Sequence, residues 1–148
     1  MLLRFFLTIL IFSCILISME LGVSTHPTNP TIDEIFQIAG VRYGVDWKLI
    51  KAVATVESKL YPDAIGDRKK SIGLMQVHVA LAYQYKITRR MLMNPYINIH
   101  MGAYQLSYLI KRYGLRKGLQ MYNLGETKYF KGKRRAMGYY KRVMREYK

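Results

Sequence analysis

Between Asn94 and Gly114 the chain carries a pattern that a long helix satisfies and little else does. Ile99, Gly102, Ala103, Leu106, Leu109, Ile110 and Tyr113 recur three or four residues apart. That spacing puts them on one face of an α-helix. Asn94-Pro95 opens the segment, and Gly114 closes it in the position usual for a helix-terminating glycine. The rest of the chain reads in the same way. One helix is expected from about Ile32 to Tyr43, stopped by Gly44, and a second from about Trp47 to Leu60, ending before Pro62. Pro62 to Ser71 reads as a loop, and a third helix is expected from near Ile72 to about Tyr83. A shorter helix spans Leu115 to Leu124 and stops at Gly125; the last runs from about Arg134 to Tyr147, with Ala136, Tyr139, Tyr140, Val143 and Tyr147 on one side. No alternating strand pattern of useful length, internal repeat or low-complexity tract is present. At 148 residues the expectation is one all-α domain.

The N-terminus is a separate matter. Arg4 precedes an apolar run from Phe5 to Met19, and Gly22, Val23 and Ser24 follow it. This order describes a secretory signal peptide over residues 1–24. The run is shorter than the roughly 20 residues of a membrane span, although an uncleaved signal anchor over residues 5–19 is the alternative. Residues 25–31, with two prolines, read as a linker. The only cysteine, Cys14, lies in the leader. Phe12 and the apolar run after Cys14 argue against a lipoprotein site. Cleavage would leave residues 25–148 with no disulfide or thiolate chemistry. The reading is export to the periplasm or cell envelope.

Charge points the same way. The chain has 24 basic and nine acidic residues, a formal net charge of +15. Arg4 and Glu20 of the leader cancel, and nine basic residues lie between Lys128 and Lys148. Such a balance attracts polyanions. With an export signal, anionic envelope polymers are favoured over nucleic acid.

The acids are few enough to consider one at a time. Asp33 and Glu34 sit at a helix start, where the helix dipole favours negative charge, and Thr31 with Glu34 fits a capping box. Asp46 reads as an N-cap. Asp63 and Asp67 fall in the Pro/Gly-containing loop, Glu126 follows Gly125, and Glu146 lies in the basic tail. Glu57 is different. With Ile50, Val53 and Ala54 it occupies positions i, i+3, i+4 and i+7 of an otherwise apolar helix face. A carboxyl on such a face loses hydration, which raises its pKa and lets it hold a proton near neutrality. A general acid needs that property. The structural alternative is a helix-end Glu that reaches solvent.

The stretch from Val56 to Val77 resembles the signature of soluble-type lytic transglycosylases, goose-lysozyme-like enzymes that cleave peptidoglycan. Glu57-Ser58 is followed by Tyr61, Pro62 and Ala64, then Ser71 and Gly73-Leu74-Met75-Gln76. Asn94-Pro95 with Asn98-Ile99 and Gly102 forms a second block, and Tyr122-Asn123 with Gly125 a third. The three blocks stand in family order from about Ile32 to Gly125, with the leader and the basic tail outside. Met121, Leu124, Glu126 and His78 depart from the usual residues near their blocks.

The resemblance implies a lysozyme-like helical domain over residues 32–127 with a cleft active site. A basic helix, residues 128–148, would pack on or extend it. It implies that Glu57 is the catalytic acid/base for the β-1,4 bond between N-acetylmuramic acid and N-acetylglucosamine, forming a 1,6-anhydro product. Substrate-binding roles fall to Ser58, Gln76, Met75, Tyr122 and Asn123, with Tyr122 near enough to hydrogen-bond the acid. Met75 reads equally well as a core residue. Gly73 and Gly125 serve the backbone. Of the thirteen tyrosines, only Tyr122 is singled out. The other tyrosines read as core-edge residues.

No cofactor or metal is expected, since His78 and His100 match no metal motif. The expected partner is the peptidoglycan glycan strand, engaged by a monomer that serves wall remodelling or a secretion, conjugation or phage assembly. Two alternatives remain. Asp63 or Asp67 could act as a second carboxylate in a hydrolysing muramidase. A non-enzymatic basic helical protein could bind nucleic acid or an anionic membrane through its last helix.

Overall fold

The computed structural model describes residues 29–132 and 136–148. The leader with Cys14, and residues 25–28 of the linker, lie outside the described residues. Among the described residues eight α-helices follow in order: α1 Ile32–Tyr43, α2 Trp47–Ser58, α3 Val79–Gln84, α4 Arg89–Leu92, α5 Pro95–Tyr113, α6 Leu115–Leu124, α7 Glu126–Phe130 and α8 Met137–Glu146. Three short strands, β1 Ile65–Gly66, β2 Ser71–Ile72 and β3 Val77–His78, form one antiparallel sheet in that order. Among the described residues no helix is long and apolar enough to cross a membrane.

Local chemistry sets the helix ends. The Glu34 N–H donates to Thr31 Oγ1 at 3.3 Å and the Thr31 N–H to Glu34 Oε2 at 2.7 Å, a closed capping box at the start of α1. Gly44 ends α1 in the left-handed region at φ 65°. Asp46 caps α2 by accepting from the Lys48 N–H at 2.9 Å. Asn94 caps α5 through Oδ1, which accepts from the N–H groups of Tyr96 and Ile97, and Pro95 fills the first helical position.

The apolar face of α5 is the floor of the core. Ile99, Ala103 and Leu106 are fully buried with Phe36, Ile50, Val53 and Leu119. α6 turns back along α5, α1 and α2 cover another side of it, and α8 lies on α2 and α6. The small residue at 102 is required: a Cβ there would stand 2.5 Å from Met75 Cβ.

The largest departure from the sequence expectation is at residues 71–78. They form two strands and a tight connection, and α3 begins only at Val79. The chain is therefore mostly helical rather than all-α. The apolar run Ile72, Leu74, Met75, Val77 is almost wholly buried, and a short buried run has no periodicity that separates strand from helix. Gly73 (φ 75°) and Gln76 (φ 46°) hold left-handed backbone that no helix contains. The region from Pro62 to Ser71, expected as loop, holds β1 and a single 3₁₀ turn at Asp67–Lys69. Two short helices, α4 and α7, fall below the length at which a periodic pattern is visible. Gly125 ends α6 as expected and also starts α7, which crosses the boundary drawn at residue 127.

Candidate active site

Glu57 stands in the last turn of α2. Just beyond it Lys59 (φ 54°) and Leu60 (φ 62°) turn the chain sharply away. Its side chain is half-buried on the wall of a cavity of about 420 Å³. The Tyr139 hydroxyl, from α8, donates to Glu57 Oε1 at 2.6 Å. Burial pushes the Glu57 carboxyl above its ordinary range, and this outweighs the lowering by the Tyr139 hydrogen bond and by the charge of Arg142. Arg142 in turn lies over the Tyr139 ring, 5.7 Å from its centroid. Burial, then the charge of Glu57, raises the hydroxyls of both Tyr122 and Tyr139 well above the phenol range. Both therefore remain protonated donors at any working pH.

The cavity wall opposite the helical side comes from the sheet and the α6–α7 corner. Asp67, Ser71, Gln76 and His78 line one part of it, and Tyr122, Asn123, Leu124, Gly125 and Lys128 another, with Gln105 from α5 between. The sheet is bolted to the core by Asn98. Its amide nitrogen donates to the carbonyls of Ile72 (2.8 Å) and Leu92 (2.9 Å), and its Oδ1 accepts from the Met75 N–H at 2.8 Å. Gly73 leaves room for that amide, since a Cβ there would meet the Asn98 side chain. With Asn98 in place, the Met75 carbonyl can accept from the Tyr122 hydroxyl at 2.8 Å.

The residues named from sequence divide accordingly. Glu57, Gln76, Tyr122, Asn123 and Gly125 share the cavity. Gln76 is held there by its own amide, which donates to the carbonyls of Ala64 (3.1 Å) and Gly73 (2.9 Å). Ser58 and Met75 do not line it. Ser58 is buried and donates to the carbonyls of Ala54 (3.1 Å) and Leu74 (2.9 Å), tying α2 to the connection between β2 and β3. Met75 is fully buried against Gly102, so its side chain is a core residue and only its carbonyl serves the site. Tyr122 is near Glu57 but its hydroxyl is used by Met75; Tyr139 is the tyrosine that bonds the acid. Asp63 is exposed away from the cavity, whereas Asp67 reaches its wall, 3.8 Å from His78 Nε2. The cavity thus holds two carboxylates, one half-buried and one exposed.

Sequence reasoning missed Tyr139, Gln105 and Lys128. Tyr139 was legible only as a core-facing aromatic on the last helix. A buried tyrosine hydroxyl needs a partner, and that need was the one available hint. Gln105 and Lys128 had no signal, because nothing local distinguishes them from other polar helix residues.

Comparison with known proteins agrees with this architecture. Residues 34–144 match the family model described as "Transglycosylase SLT domain", a match that runs into α8. The X polypeptide of Escherichia coli is 31% identical over 122 residues, covering 77% of this chain and 72% of that protein. A peptidoglycan-binding-like protein of Escherichia coli O157:H7 is 33% identical over 135 residues, covering 81% of this chain and 75% of that one. Among solved structures, an inactive mutant of the lytic transglycosylase Slt from Pseudomonas aeruginosa shares the fold. The TM-score is 0.56 and the identity 19%, over 76% of this chain. This chain spans 20% of that enzyme's length.

Proposed function

The chain belongs to the transglycosylase SLT domain family, and from that premise we propose that it is a peptidoglycan lytic transglycosylase with Glu57 as its single acid/base. The observation that carries the reading is the state of Glu57. It is a half-buried carboxyl on a cavity wall, held by Tyr139 and shifted toward its protonated form.

The chemistry needs a group that gives a proton and then takes one back. In the first step Glu57, protonated, gives its proton to the glycosidic oxygen as the bond from C1 of N-acetylmuramic acid breaks. N-acetylglucosamine leaves with a free O4 hydroxyl. Positive charge develops at C1, and the substrate's own N-acetyl group stabilises it. In the second step the Glu57 carboxylate takes the proton of the C6 hydroxyl, whose oxygen closes onto C1. The product is a 1,6-anhydromuramoyl end, no water is consumed, and Glu57 is protonated again. The Tyr139 hydrogen bond to Oε1 fits this cycle. It supports the carboxylate formed between the steps and leaves Oε2 to exchange protons with the sugar. Gln76, whose amide N–H groups are taken by the Ala64 and Gly73 carbonyls, offers its amide oxygen, Asn123 offers its amide for hydroxyl and N-acetyl groups, and Lys128 offers a cation at the rim.

Asp67 supports a second reading. A carboxylate on the same wall could activate a water and give hydrolysis. Its exposure and its place beside His78 favour an ordinary solvated role at the cavity mouth. Mass spectrometry of digested peptidoglycan separates the two. Anhydro ends are expected, and reducing muramic acid ends would refute the transglycosylase reading. Glu57→Gln should abolish release in either case. We also propose that the protein works in the cell envelope, where its net charge of +15 would hold it near anionic wall polymers.

A further inference from the structure

A separate hollow of about 530 Å³ opens between the end of α1, the turn after α3 and the first half of α5. Among the described residues, none of its walls is shared with the catalytic cavity. Tyr43, Tyr85, Tyr96 and Met101 make it largely apolar, and His100 lines it from α5. Among the described residues on its walls, Arg42 is the one charged side chain.

His100 carries an unmet demand. It is buried, its Nδ1 lies 3.3 Å from the Tyr43 hydroxyl, and the Tyr96 ring lies against it with centroids 4.2 Å apart. Its Nε2 is shielded from solvent and, among the described residues, has no hydrogen-bond partner. Burial, then the charge of Arg42, holds the imidazole below its ordinary range, so the ring is neutral. With the Tyr43 hydroxyl donating to Nδ1, Nε2 carries the ring hydrogen and lacks an acceptor. Polar atoms buried in this way are rare in native folds, and each calls for a reason. Tyr96 is 43% exposed, so uncovering the imidazole needs only a side-chain rotation.

The apolar surface continues past the hollow. Ile38 and Val41 stand on the same face of α1 as Arg42, at i, i+3 and i+4, and are 44% and 89% exposed. Lys86, between Tyr85 and Ile87, is exposed and adds a second cation beside the rim.

We propose that this hollow docks an acidic segment of a partner protein, taking an aromatic or branched aliphatic side chain that stands next to a carboxylate. The side chain fills the apolar hollow, the carboxylate pairs with Arg42, and an oxygen of the segment accepts from His100 Nε2 once Tyr96 has turned aside. An apolar patch that reaches out to Ile38 and Val41 suits a polypeptide better than a small molecule, which the hollow alone would hold. Arg42 and Lys86, in a chain of net charge +15, select an acidic partner over a basic one. Because hollow and catalytic cavity have separate walls, the docked enzyme keeps its cavity open to substrate.

The probe is a fluorescein-labelled nonapeptide, Gly-Ser-Glu-Asp-Phe-Asp-Glu-Ser-Gly, titrated with the full-length protein at about 0.15 M salt and followed by anisotropy and by amide NMR shifts. Saturable binding is expected, with shifts centred on Arg42, Tyr96 and His100. Alanine in place of the peptide's phenylalanine should weaken binding about tenfold, as burial of one aromatic side chain implies. Arg42→Gln should weaken it several-fold and leave muropeptide release unchanged. Equal affinity for the phenylalanine and alanine peptides would reduce the binding to general attraction between opposite charges and overturn the proposal. So would failure of this peptide and its leucine and tryptophan counterparts to bind. Shifts at the same three residues on adding chitohexaose, with none from the peptides, would give the hollow to glycan. Self-association that Arg42→Gln abolishes would give it to a second copy of this chain. Either result overturns the partner assignment.

Discussion

Replacing Asn98 with alanine should be strongly destabilising, although the residue lies outside the candidate site. Asn98 is 1% exposed and makes three hydrogen bonds, to the Ile72 and Leu92 carbonyls and from the Met75 N–H. Alanine takes a hydrogen-bond partner from each of these three buried backbone groups, of which the Ile72 carbonyl lies on the paired strand β2. A buried group left without a partner costs about 1–3 kcal/mol. Partial relaxation and water entering the space left behind place the total near the low end, about 3–5 kcal/mol. Domains of this class have only about 5–15 kcal/mol of stability, and roughly 4 °C of Tm accompanies each kcal/mol at this size. The melting temperature should therefore fall by about 12–20 °C, read by circular dichroism at 222 nm. Activity should fall further than the folded fraction accounts for. The Met75 carbonyl would no longer be fixed for Tyr122, and Gln76 follows Met75 directly into the cavity wall. A Tm loss under about 4 °C would refute the claim that this amide bolts the sheet to α5, and with it the account of residues 71–78.

Tyr139→Phe removes the hydrogen bond that stabilises the Glu57 carboxylate, so the acid should keep its proton to higher pH and the alkaline limb of the pH–rate profile should move up. A hydrogen bond to a charged group is worth about 1.5–3 kcal/mol, or about 10–100-fold if it acts in the transition state; an unmoved profile would show that Tyr139 does not act on the acid. Glu57→Gln should abolish muropeptide release and also stabilise the protein near neutral pH. The folded carboxyl titrates above its ordinary range, so below the unfolded value of about 4.3 both states are protonated and the residue contributes nothing. As pH rises from there through the folded pKa, the unfolded chain ionises first and the wild-type fold loses stability. Parent and variant should melt alike in acid and diverge toward neutrality; a constant difference at all pH values would count against burial as the cause. Gly102→Ala should destabilise by about 1–3 kcal/mol through overpacking against Met75, and Met75→Ala in the same chain should restore part of the loss in chemical denaturation. Activity on whole sacculi should fall as salt is raised from about 0.05 to 0.5 M, while cleavage of a short soluble glycan should stay nearly flat; a flat response with sacculi would remove the polyanion argument.

Much of this protein is written locally. The helical period from Ile99 to Tyr113, the capping box of Thr31 and Glu34, the Asp46 cap and the Gly44 and Gly125 stops depend on residues within a turn or two of each other. Such features are readable in the sequence because the groups that satisfy each other are neighbours along the chain. Glu57 was legible for the same reason, since an acid on an apolar helix face is a local anomaly. The tertiary structure decided what no local pattern contains. Residues 71–78 pair as strands with residues of the same sheet, and Asn98 fixes their connection to α5 by taking up the Met75 N–H and the Ile72 carbonyl from 23 and 26 residues away. Ser58 and Met75 turn inward because the core closes over them, although their place in the motif suggested a cleft. The partner of the acid is Tyr139, 82 residues further along, and only the docking of α8 on α2 brings the two together. A hydrogen bond over that separation depends on how every helix between packs, and packing is a property of the whole fold.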